Sequence, residues 1–157
     1  MMKLLMVCMG NVCRSPMSQT VMLHLVEQAG LARKIRVDSA GTHASLDKGP
    51  ADSRVKAVLS GRGYAIARHR SRQITEQDFS RYDLILAMDR ENLNDLMRIC
   101  PAGHTHKLHL FLEFAPRMDV CDIPDPYYGN VEGFERVLDL CEAGARGLLD
   151  RLKNSPR

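Results

Sequence analysis

KLLMVCMGNVCRSPMS, residues 3–18, sets an apolar run directly before a loop and a helix start. Lys3–Val7 reads as a buried strand, because the run carries no alternating polar face. Ser15-Pro16 predicts the helix start: serine caps, and proline at the first helical position gives up an N–H that needs no partner there. Met17, Val21, Met22, Leu25, Val26 and Ala29 fall on one helical face, and Gly30 ends it. A strand passing through a short loop into a helix is the first half of a βαβ unit.

The rest of the chain continues the alternation. IRVDSAGT (35–42) is a short strand running into a loop. A helix begins at Pro50, carries Val55, Val58 and Leu59, and is closed by Gly61 and Gly63. YDLILAMD (82–89) is an interior strand, and Leu93, Leu96, Met97 and Cys100 make a helical stripe stopped by Pro101. KLHLFL (107–112) is the fourth strand, followed by the loop DVCDIPDPYYGN (119–130) and a long last helix from Val131 to Leu152. Strands alternating with helices imply an α/β domain with a parallel sheet covered on both faces. Without repeat, linker or low-complexity segment, residues 1–157 read as one domain. In such sheets a ligand sits outside the carboxyl ends of the strands, where residues 8–15 fall.

Composition narrows the function classes. A formal charge of +3 is too small and scattered to argue for nucleic acid. No apolar run approaches the roughly 20 residues that span a bilayer. The apolar N-terminal run is too short for an export signal and lacks a small-residue cleavage site, which points to the cytoplasm. Five cysteines without a Cys-x-x-Cys pair indicate neither a disulfide scaffold nor a zinc knuckle. His104, His106 and His109 have no cysteine or carboxylate at ligand spacing, so no metal is expected. Arg68, Arg70 and Arg72 read as a solvated basic face, and Cys100 and Cys141 as inert thiols in apolar stripes.

The opening loop carries chemistry. A glycine-bearing turn before a helix N-terminus turns backbone N–H groups toward an anion. Neither Gly-Lys-Ser/Thr nor G-x-G-x-x-G is present. In their place stands Cys8-x5-Arg14-Ser15. Arg14 can grip two phosphate oxygens at once, and the same N–H groups favour a thiolate at Cys8. A thiolate under a bound phosphate is a nucleophile aimed at phosphorus. Asn11 tolerates the left-handed backbone that a tight loop requires, and Ser15 can hydrogen-bond the sulfur when it leaves. A structural cysteine beside a surface arginine is the plain alternative; the full set in register after a strand weighs against it.

CMGNVCRSP (8–16) resembles the signature of the low-molecular-weight protein-tyrosine phosphatases, and DPYYG (125–129) resembles that family's general-acid motif. DSAGT, RHRSRQI and YDLILAMD fit the blocks between, so the likeness covers essentially the whole chain. It implies a three-layer, flavodoxin-like α/β fold with a four-stranded parallel sheet in the order 2-1-3-4. It implies hydrolysis of phosphotyrosine through a phosphocysteine on Cys8, with Met9, Gly10, Asn11, Val12, Cys13 and Ser15 forming the phosphate loop. A phenol leaving group, pKa about 10, needs a proton donor. Asp125, stiffened between Pro124 and Pro126, competes for that role with Asp119 and Asp122; the family motif selects Asp125. The likeness also implies an aromatic wall of Tyr127 and Tyr128, a variable wall of His43 and Leu46, and a network in which Ser39 and His69 hold Asn11. No cofactor follows from it, and the partners it implies are phosphotyrosine proteins, a bacterial tyrosine autokinase among them, for a chain expected to be a monomer.

Three rivals remain. Arsenate reductases of this fold need two further mid-chain cysteines, and residues 70–99 hold none. Protein-arginine phosphatases carry threonine where Val12 stands. A phosphopeptide-binding module would need neither Cys8 nor Asp125. Cys13 is not required for phosphate chemistry; a tight loop could bring it within the roughly 4.4–6.8 Å Cα separation of a disulfide with Cys8. Reversible control by oxidation is the expected consequence.

Overall fold

Met2–Cys8 form β1, and the computed structural model, which describes residues 1–44, 49–66, 68–116, 119–127 and 129–154, makes this strand the centre of a sheet. β2 (Ile35–Gly41), β3 (Leu84–Ala87) and β4 (Leu108–Leu110) complete a four-stranded parallel sheet in the order β2-β1-β3-β4. Parallel neighbours need crossovers, and helices supply them: α1 (Arg14–Gln28), α2 (Ser53–Gly61), α3 (Glu76–Arg81), α4 (Arg90–Ile99) and α5 (Val131–Lys153). Side chains of β1 alternate between two layers. Leu4, Met6 and Cys8 pack among residues of α1, α2 and α5, while Leu5 and Val7 pack against Phe79 of α3 and Leu96 of α4. Leu4, Leu5, Met6 and Val7 are wholly buried, each burial worth about 1.5–3 kcal/mol. That two-sided burial explains the unbroken apolar run in the sequence.

The sequence reading misplaced some boundaries. α1 begins at Arg14 with Cys13 as its N-cap, so Ser15 does not cap and Pro16 sits third in the helix. The loop itself delivers the chain into helical geometry, which frees the Ser15 hydroxyl. α2 starts at Ser53, because the Asp52 side chain accepts the Arg54 N–H at 2.8 Å and caps there. The fourth strand is cut to three residues by a 3-10 turn over Phe111–Phe114. α3 was not foreseen, being too short for periodicity to mark. Met97, expected in the buried stripe of α4, is 51% exposed.

Arg72 is not a solvated cation. Its Nη1 and Nη2 donate to the two carboxylate oxygens of Asp78 at 2.9 Å each. Burial would push the Asp78 carboxyl up, but Arg72 and the Thr75 N–H outweigh it and hold the group below the ordinary carboxylate range. Asp78 thereby closes a capping box with Thr75 at the start of α3. Among the described residues no helix is long and apolar enough to cross a membrane.

Candidate active site

The loop leaving β1 closes on itself around Asn11, whose φ of 58° lies in the left-handed region. Its side chain is fully engaged. Nδ2 donates to Ser15 Oγ at 2.8 Å and to Ser39 Oγ at 3.0 Å, and Oδ1 accepts the Arg72 N–H at 2.9 Å. His69 Nε2 lies 2.8 Å from the Asn11 carbonyl oxygen; a carbonyl only accepts, so this nitrogen carries the proton. Burial lowers the His69 pKa and favours the neutral ring. β2 supports the loop from beside it: Thr42 N–H donates to the Cys8 carbonyl and His43 N–H to that of Met9, at 2.9 and 2.8 Å. Gly41 allows this approach, since a Cβ there would stand 2.6 Å from the Met9 carbonyl oxygen.

Cys8 Sγ lies 2.9 Å from Ser15 Oγ and 3.3 Å from the Asn11 nitrogen, which donates to it. Because Ser15 already accepts from Asn11, its hydroxyl hydrogen is free for the sulfur. Arg14 is buried at the first turn of α1. Its Nη1 donates to Asp89 Oδ2 at 2.5 Å and to the Ile123 carbonyl at 2.9 Å. Its Nη2 stands 3.8 Å from Asp125 Oδ2. Burial works against the Arg14 charge, but Asp89, Cys8 and Asp125 more than restore it. Asp89, which also caps α4 by accepting the Asn92 N–H at 2.7 Å, was missed by the sequence reading. The available signal was a carboxylate ending a central strand beside a loop with a buried cation.

Two carboxylates of the loop at 119–130 are separated by their partners. Asp122 accepts from the Arg90 backbone at 2.8 Å and from its Nη2 at 2.9 Å, and that pairing holds its carboxyl below the usual range. Asp125 instead faces the phosphate loop. Its Oδ1 accepts the Tyr127 N–H at 3.0 Å in a local turn, and its side chain keeps 40% of its exposure. A cavity of about 270 Å³ lies between, lined by Cys8, Met9, Gly10, Val12, Cys13, Arg14, Asp125 and Tyr127.

His43 does not line this cavity, contrary to expectation. Its ring lies 3.0 Å from Thr42 Oγ1 and 3.9 Å from Asp95 of α4. Leu46 and Tyr128 lie outside the described residues. Cys13 is buried under the loop, and burial, then the nearby Asp52, push its thiol up to about 12. Burial likewise raises Cys141 and Cys100. Among the described residues no group of three or more His, Cys, Asp or Glu could hold a metal ion.

A thiol, a buried planar cation and a half-exposed carboxyl thus meet around one cavity. Residues 3–157 match the family model described as Low molecular weight phosphotyrosine protein phosphatase. A putative low molecular weight protein-tyrosine-phosphatase of Synechocystis is 42% identical over 96% of each chain. The crystal structure of a low molecular weight phosphotyrosine phosphatase from Vibrio cholerae superposes with a TM-score of 0.92 at 41% identity, covering 98% of both chains. A structure of a cysteine-to-serine mutant of the YwlE arginine phosphatase, with a phosphorylated active-site serine, gives 0.88 at 28% identity over 99% of both.

Proposed function

As this chain belongs to the low molecular weight phosphotyrosine protein phosphatase family, we propose that Cys8, Arg14 and Asp125 carry phosphotyrosine hydrolysis here through a phosphocysteine. The Cys8 thiolate attacks phosphorus, and Asp125 gives its proton to the departing phenol oxygen. Asp125 then takes a proton from water, which attacks phosphorus and returns Cys8 as thiolate. Arg14 and the loop N–H groups carry the charge on the equatorial oxygens. The Ser15 hydroxyl, 2.9 Å from Sγ, stabilises the sulfur anion when it is the leaving group. The carrying observation is the cavity that Cys8, Arg14 and Asp125 line together.

Tyr127 and Val12 make the ring's surroundings apolar, which favours a phenyl over a guanidinium. The experiment is a comparison of phosphotyrosine and phosphoarginine peptides, with faster turnover of phosphotyrosine expected. Val12→Thr, adding a hydroxyl to the cavity wall, should raise kcat/KM for phosphoarginine relative to phosphotyrosine by about threefold or more. An unchanged ratio would remove this basis for preferring the aryl ester.

The partners we propose are proteins bearing phosphotyrosine, a tyrosine autokinase among them, met in the cytoplasm. Five thiols, all unpaired, suit that reducing compartment. Control by oxidation fits the same setting. Peroxide converts the Cys8 thiolate to a sulfenic acid, releasing hydroxide; the Cys13 thiol then forms the S–S bond, and water leaves. Cys13 shares Cys8's apolar cluster. Mild peroxide should inactivate the protein and dithiothreitol restore it fully, with Cys13→Ala active but not recoverable. Full recovery without Cys13 would remove its role.

A further inference from the structure

Arg54, near the start of α2, contacts the site from outside the cavity. Its guanidinium carbon stands 5.5 Å from the Tyr127 ring centroid and 4.6 Å from that of Phe134 in α5. Asp52 fixes the guanidinium from the other side, with Nε donating to Oδ1 at 3.1 Å and Nη2 to Oδ2 at 2.8 Å. Asp52 is itself joined to the phosphate loop, its N–H donating to the Val12 carbonyl at 2.9 Å. At the far end, the Tyr127 N–H donates to Asp125 Oδ1. The contacts form a continuous path from Val12 through Asp52, Arg54 and Tyr127 to Asp125.

We propose that Arg54 is a positioning residue that fixes the loop bearing Asp125 over the phosphate loop, an assignment that rests on Asp125 being the proton donor. The Asp125 carboxyl is 40% exposed, and its separation of 3.8 Å from Arg14 is too long for a hydrogen bond. Packing therefore does not set where it points. A planar cation set against Tyr127 and Phe134 and forked onto a carboxylate does set it, because guanidinium plane and fork both have direction. Arg54 is itself 39% exposed on its side chain, so its ion pair adds little to global stability. Its effect is geometric, and a small displacement of a proton donor is costly to rate.

The test compares kcat/KM for phenyl phosphate, whose leaving group needs a proton, with that for dinitrophenyl phosphate, whose leaving group does not. Arg54→Met should lower the first roughly tenfold and the second less than twofold. Arg54→Lys keeps the charge but neither plane nor fork, and should show the same selective loss. It also carries the test if Arg54→Met melts early. In an Asp125→Asn background, Arg54→Met should cost nothing further on phenyl phosphate. Equal losses on both substrates, full activity in Arg54→Lys, or additive losses would each overturn the assignment. If Asp125→Asn is selective and the Arg54 variants are not, the donor stands and the Arg54 role falls. If Asp125→Asn is itself unselective, both fall.

Discussion

Cys8→Ser should abolish turnover, by on the order of 10⁴-fold or about 5 kcal/mol of transition-state stabilisation, while still binding phosphate or vanadate. The reason is a division of labour within the loop. The proposed anion site is built from backbone N–H groups, the Asn11 side-chain network and a buried Arg14 held by Asp89; Asn11 N–H and Ser15 Oγ reach the sulfur, but the Asn11 side chain holds both in place through other bonds. A serine oxygen fits the same space, but as an alcohol it is a weak nucleophile and a poor leaving group in the second step. Aryl phosphate turnover together with vanadate binding by calorimetry checks this. Retention of a tenth of wild-type activity would remove Cys8 as the nucleophile; loss of both turnover and binding would mean that the sulfur shapes the loop.

Asp125→Asn should reduce kcat/KM for phenyl phosphate by roughly 10²-fold and leave dinitrophenyl phosphate nearly unchanged. Asparagine keeps the size of the side chain and can still accept the Tyr127 N–H, so the loss isolates the proton. kcat/KM reports the first chemical step, in which the phenol departs, and is the parameter to compare. Asp122 cannot readily take over, because its carboxylate is occupied by the Arg90 backbone and guanidinium. Equal slowing of the two substrates would move the acid elsewhere.

The fold was legible in the sequence because its centre is buried on both faces. Four wholly buried residues in β1 and the periodic faces of α1 and α5 are the patterns that apolar burial writes most clearly. α3 was not, since six residues give little more than one turn and its stability comes from the Arg72–Asp78 pair and a capping box. Cys8, Arg14 and Ser15 were readable because their spacing is imposed by one local loop. Asp89 and Arg54 were not, because Arg14, which Asp89 holds, lies 75 residues away, and the Tyr127 ring that Arg54 packs on lies across the site. His43 was misjudged for the same reason: the backbone brings it to the loop, but Thr42 and Asp95 decide where its ring turns. Reading contact from sequence works where chain geometry is local and fails where side-chain partners arbitrate.

A covalent phosphocysteine is the claim on which the rest depends. Rapid denaturing quench during turnover of an aryl phosphate, followed by peptide mass mapping, tests it directly. The mass of one phosphoryl group should appear on the peptide containing Cys8 before steady state, and should be absent from Cys8→Ala under the same conditions. Turnover with no phosphorylated peptide at any time, or a phosphoryl group on another residue, would contradict the account.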